Sequence, residues 1–152
     1  MVVFLDFDGV CHPWNPREFG FKTFCFLPRI EGVLREFPMA QVVIASDWRR
    51  MTPLPALKRV FSEDMRARVV GANPVHDVPE DMPGYRQREA LDWLEVNDRV
   101  GAPWVALDDL PGNWEAGEPR LIVCEDGFFA REEGLLREAL AAMDRRSACA
   151  KE

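Results

Sequence analysis

Val2-Val3-Phe4-Leu5-Asp6-Phe7-Asp8-Gly9-Val10 is an apolar β run that ends in two carboxylates one residue apart. Residues two apart on a strand point to the same side, so Asp6 and Asp8 are expected to converge at its C-terminal end. Gly9 lets the backbone turn there without steric cost. Asp-x-Asp-Gly also suits an ordinary turn, and the position decides between the two readings. Open α/β sheets bind ligands beyond the carboxyl ends of their strands.

Further along, residues 41–45 read as a buried strand ending at Ser46, residues 69–71 as a short strand, and residues 104–107 as a strand running into Asp108 and Asp109. Residues 120–124 form another. Helical spacing of apolar residues appears at Ile30, Val33, Leu34 and Phe37, at Leu57, Val60 and Phe61, across residues 85–96, and across residues 131–143. Residues 11–28, rich in Phe and broken by Pro13, Pro16 and Gly20, suggest a small hairpin or flap. Strands alternating with helices favour a three-layer, Rossmann-like α/β architecture, a parallel sheet with helices on both faces. In such a sheet Asp6, Asp8, Ser46, Asp108 and Asp109 gather along one edge.

Composition agrees with one folded domain. The 152 residues are 47% hydrophobic and 30% charged, enough for a single core and too few for two. A single domain over residues 1–144 with a loose tail at 145–152 is the expected organisation. The net charge of −7 argues against a broad nonspecific nucleic-acid surface, although a local basic cleft of Lys22, Arg29, Arg49 and Arg50 is compatible with it. Cys11, Cys25, Cys124 and Cys149 lack metal or redox spacing, and His12 and His76 lie in Pro-rich loops. Cys11, next to the first motif, reads as a small buried hydrophobe rather than a second nucleophile. With neither a secretory leader nor a membrane-length apolar run apparent, the expected location is cytoplasmic.

Four carboxylates at one edge repel one another unless a cation sits among them, and hard oxygen ligands suit Mg²⁺. Asp6, Asp8, Asp108 and Asp109 are the candidate ligands. A phosphoryl group at that cation also needs donors. Ser46 offers a hydroxyl and neighbouring backbone N–H groups, and Arg86 or Arg88 offers a guanidinium.

This ordered set resembles the haloacid dehalogenase (HAD) superfamily of phosphohydrolases. Asp6-Phe7-Asp8-Gly9-Val10 is similar to its first motif, Ala45-Ser46 to its second, Arg86 (or Arg88) to its basic third element, and Leu107-Asp108-Asp109 to its acidic fourth. More narrowly, Ser46-Asp47-Trp48-Arg49, Val70-Gly71-Ala72-Asn73-Pro74, Arg86-x-x-Glu89-Ala90-x-x-Trp93-Leu94 and Ala106-Leu107-Asp108-Asp109 resemble the HAD domains of "Swiss army knife" RNA repair proteins.

The resemblance implies a Mg²⁺-dependent phosphomonoesterase. Asp6 would be the nucleophile that forms an aspartyl phosphate, and Asp8 the proton donor and then acceptor. Ser46, Asp47 and Arg86 would serve the phosphate. The intervals between motifs are too short for a large cap domain, so the site is expected to be open apart from the flap. Open relatives tend to take large substrates, including nucleic-acid ends, and Trp14, Trp48 and Arg49 would then be substrate contacts. Trp114 could stack on a base or anchor the core. The alternatives are a catalytically weak phosphate-binding domain of the same fold, and a phosphotransferase.

Overall fold

Five short apolar strands make up the sheet, and most of their residues are buried. The structure is a computed structural model and describes residues 1–77, 79 and 82–149. The strands are β1 (Val2–Leu5), β2 (Gln41–Ile44), β3 (Val69–Ala72), β4 (Trp104–Asp108) and β5 (Leu121–Val123). All pairings are parallel and the order is β3-β2-β1-β4-β5. β1 is therefore central, paired with β2 from Val2↔Gln41 to Leu5↔Ile44 and with β4 from Val2↔Trp104 to Leu5↔Leu107.

Alternation along the strands supplies two cores. Val3, Leu5, Val42, Ile44, Val105 and Leu107 face α1 (Leu27–Glu36) and α4 (Ala130–Cys149), which contribute Ile30, Leu34, Leu136 and Leu140. Val2, Phe4, Val43, Trp104 and Ala106 face α3 (Tyr85–Val96), which contributes Ala90, Trp93 and Leu94. This is the three-layer arrangement expected for a parallel sheet covered on both faces. Gly71 matters to the second layer, because a Cβ there would lie 2.6 Å from Trp93 Nε1. The missing side chain lets α3 close onto β3.

Three expectations need correction. Residues 13–25 form successive turns with no paired strands, so the flap is not a hairpin. Pro13 and Pro16 lack ladder donors, and Phe24 sits at φ 61°, outside strand geometry. The proposed tail begins too early, since α4 continues through Cys149. Residues 150–152 lie outside the described residues. The helix expected over residues 54–61 is one turn, α2 (Leu54–Leu57), followed by a 3-10 turn at Lys58–Val60. No large cap is present among the described residues, and none of their helices is long and apolar enough to cross a membrane.

Candidate active site

The parallel register brings the ends of β1 and β4 side by side. Asp6 N–H donates to Leu107 O at 3.0 Å, which fixes the first acid beside the fourth strand. Beyond it, Val10 N–H and Cys11 N–H both donate to Phe7 O, and Gly9 takes φ +69° to close the turn. A Cβ on Gly9 would collide with the Asp109 side chain, lying 2.8 Å from its Cβ. Only glycine combines that φ with so close an approach.

Asp6, Asp108 and Asp109 each present a carboxylate oxygen, and these oxygens lie within 4.8 Å of one another. Asp6 and Asp108 are buried, and Asp109 is partly so. Asp6 Oδ1 accepts the Phe7 N–H at 2.8 Å. Asp108 accepts from Leu110 N–H (2.9 Å) and from the indole of buried Trp114 (2.9 Å). Trp114 is thus a core anchor that also orients Asp108. Asp109 Oδ2 accepts the Trp14 indole N–H, while its buried Oδ1 has no hydrogen-bond partner. An orphaned buried carboxylate oxygen inside a group of three acids is a donor set that fits a hard divalent cation such as Mg²⁺.

Arg86 lies against the same group. It is 2% exposed, with Nη1 at 3.8 Å from Asp6 Oδ1 and Nη2 at 3.3 Å from Asp47 Oδ2, and it also donates to Ala45 O and Tyr85 Oη. Arg88 is exposed, and its guanidinium donates to Pro83 O at 3.1 Å. Of the two candidate bases, Arg86 is the one brought to the site. Two residues apart on α3 they point to different sides. Ser46, fully buried at the end of β2, caps the Asp47–Arg50 turn by accepting the Trp48 N–H at 3.4 Å. Asp47 is partly exposed and held by Arg49, Arg50 and Arg86.

The charges explain the electrostatics. Burial, then the neighbouring Asp108 charge, pushes the Asp6 carboxyl up to about 7 against the opposing pull of Arg86, the Phe7 N–H and the Ser46 hydroxyl. Burial raises Asp109 to about 6 although the Trp14 indole opposes it. Asp108 is raised as well, by burial, with Arg86 opposing. Arg86 goes the other way: burial alone would lower it, yet Asp6 and Asp108 hold it above its ordinary value. One buried guanidinium does not neutralise three acids.

The remaining residues are placed as follows. Asp8 does not join the three acids. Its Oδ2 accepts the Trp48 indole N–H at 2.8 Å and its Oδ1 lies 3.0 Å from His12 Nε2. β1 ends at Leu5, so strand alternation does not extend to Asp8. Trp14 is 53% exposed and hydrogen-bonded to the acidic edge, whereas the Trp48 indole is committed to Asp8. Arg49 is nearly buried in an ion pair with Glu89 and also binds the carbonyls of Ala45, Ser46, Asn73 and Pro74, so it braces β2 against α3. Arg29 pairs with Glu133 of α4, whereas Arg49 pairs with Glu89 of α3, on the opposite layer of the sheet. Sequence reading missed His12, whose spacing of four from Asp8 was the available signal, and Asp126, whose carboxylate accepts the Trp14 N–H at 2.8 Å.

A Rossmann-like α/β domain with an acidic edge fitted to a divalent cation is the class that this fold and site define. Residues 2–132 match the family described as the HAD domain in Swiss Army Knife RNA repair proteins, and the chain belongs to that family. It thereby falls among phosphatase-type hydrolases, which generally use Mg²⁺. No curated protein and no solved structure matches the chain.

Proposed function

We propose that the protein is a Mg²⁺-dependent phosphomonoesterase that works through an aspartyl phosphate on Asp6 and acts on the terminal phosphate of a nucleic acid or nucleotide. The observation that carries the reading is the convergence of Asp6, Asp108 and Asp109 with buried Arg86 at one sheet edge. An acid cluster this poorly neutralised is costly as structure and suited to phosphoryl chemistry.

Asp6, Asp108 and Asp109 would hold the ion, which when bound offsets charge between the carboxylates and the phosphate. The Asp6 carboxylate attacks phosphorus while the bond from phosphorus to the leaving oxygen breaks. That oxygen takes the proton of Asp8 and departs as an alcohol. Asp8, now a carboxylate, removes a proton from water as the water attacks the aspartyl phosphate. Inorganic phosphate leaves and the Asp6 carboxylate is restored. Ser46 and Arg86 steady the nonbridging oxygens.

Substrate class rests on three supports: the absence of a large cap among the described residues, the exposed Trp14 ring beside Asp109, and the RNA repair proteins for which the family is named. An exposed indole next to the acidic edge offers a base a stacking surface. A phosphate-release screen in Mg²⁺ over phosphorylated oligonucleotide ends, nucleotides and sugar phosphates, with Asp6→Asn as control, tests it. Release from oligonucleotide ends that disappears in the variant is expected. Equal release by the variant refutes the nucleophile, and activity confined to sugar phosphates refutes the substrate class.

A further inference from the structure

Asp8 has both carboxylate oxygens held, although neither is bonded to the acid cluster. Trp48 Nε1–H donates to Oδ2 at 2.8 Å, and His12 Nε2 lies 3.0 Å from Oδ1. The two partners come from separate elements, His12 from the loop after β1 and Trp48 from the turn that Ser46 caps. We propose that His12 and Trp48 are positioning residues that aim the Asp8 carboxyl at the leaving group and keep it out of the cation site; this rests on Asp8 being the proton-handling group.

Three observations lead there. The first is that the holds are rigid. The His12 ring meets Phe24 edge-on at 5.0 Å and Trp48 at 5.9 Å, and Trp48 packs edge-on against Phe7 (5.9 Å) and Phe24 (5.2 Å). A ring fixed on several sides loses little further freedom in holding a carboxylate.

The second is that packing alone does not account for His12. Its ring is 2% exposed and its Nδ1 is buried with no partner. A leucine would fill that space without a stranded polar atom, since an unsatisfied buried group is destabilising. The imidazole is therefore placed for what Nε2 does, and Nε2 faces Asp8.

The third is accessibility. A carboxylate has about four acceptor positions, of which His12 and Trp48 occupy two. Asp8 keeps 28% of its side chain exposed, so the remaining positions are open to an incoming leaving oxygen. Left unrestrained, a carboxylate two residues from Asp6 would be drawn to the same cation. The indole and imidazole prevent that. Because Trp48 follows Ser46 by two residues, one turn both presents the phosphate-holding hydroxyl and directs the proton donor.

The test varies the leaving group. Phenyl phosphate needs its leaving oxygen protonated, whereas dinitrophenyl phosphate releases an anion stable enough to leave without a proton. Steady-state kinetics in Mg²⁺ would compare wild type, Trp48→Phe, His12→Leu, His12→Gln and Asp8→Asn on both. Trp48→Phe and His12→Leu should lower kcat/KM on phenyl phosphate by about 10-fold or more, within the range of a displaced general acid. On dinitrophenyl phosphate kcat/KM, which reports only the steps up to loss of the leaving group, should fall less than about 3-fold, since no acid is required there. His12→Gln keeps a donor at similar reach and should recover most of the loss. Should His12→Leu not fold, Trp48→Phe, which keeps the ring packing, carries the same contrast. Equal losses in kcat/KM on both substrates, or no loss on either, overturn the positioning role. If Asp8→Asn itself fails to distinguish the two substrates, the proton-handling role of Asp8 falls and the inference with it.

Discussion

Replacing Asp6 with Asn should abolish turnover and, in the metal-free protein, make the fold more stable. The carboxyl rises from 3.8 to about 7 on folding, about three pH units, because it is buried beside Asp108. For an acid with a raised folded value, the native state holds its proton longer than the unfolded state. Stability is therefore full below about 4 and declines as pH rises through about 7. At roughly 1.4 kcal/mol per unit, the penalty at pH 8 is about 4 kcal/mol, and at pH 5 it is about 2 kcal/mol. Asn carries no charge and avoids the penalty at either pH. With about 2–4 °C per kcal/mol for a chain of this size, Asp6→Asn should melt on the order of 10 °C above wild type at pH 8. The gain should be about half that at pH 5. Thermal melts followed by circular dichroism in chelator, across pH 5 to 8, supply the measurement. An Asn variant no more stable than wild type at pH 8, or a gain that ignores pH, would refute the claim that uncompensated charge burdens this site.

Mg²⁺ should raise the wild-type melting temperature at pH 8 by several degrees and do little at pH 5, where the raised carboxyls hold their protons; a shift independent of pH, or one retained in Asp108→Asn, counts against the three-acid site. Arg86→Met removes the buried partner of Asp6 and Asp47 and should destabilise the protein by about 3 kcal/mol at pH 8 in a urea titration. Arg88→Ala, at an exposed position whose guanidinium donates to a loop carbonyl, should change stability by less than about 0.5 kcal/mol and leave phosphate release intact; reversed outcomes would exchange the two arginines. Gly9→Ala demands a positive φ from alanine and drives its Cβ into Asp109, so isothermal titration should show Mg²⁺ affinity at least about 10-fold weaker.

Much of the fold was legible because buried parallel strands announce themselves as apolar runs and the intervening helices as a 3.6-residue stripe. That pattern placed Asp6, Ser46, Asp108 and Asp109 at strand ends, and the register then brought them to one edge. The position of Asp8 was not legible, because strand alternation stops at Leu5 and the Gly9 turn sets its direction instead. The choice between Arg86 and Arg88 depended on which side of α3 faces the sheet, and Arg86 lies on the buried one. Trp48 and His12 were harder still. Their partner is a single carboxylate, and apart from the spacing of four between Asp8 and His12 nothing in composition or periodicity indicates which indole or imidazole will meet it.

The register that builds the site also determines how it can fail. Residues 2–5 pair directly with residues 104–107, so Asp6 meets Asp108 only when two segments far apart in the chain pair across the middle of the sheet. A species in which β1, β2 and β3 have assembled alone carries Asp6 and Ser46 but not Asp108, Asp109 or the α3 arginine. Pairings this distant in sequence form late and slowly. A partly folded form thus yields no partly working protein, and activity reports on completion of the whole sheet rather than on any one segment.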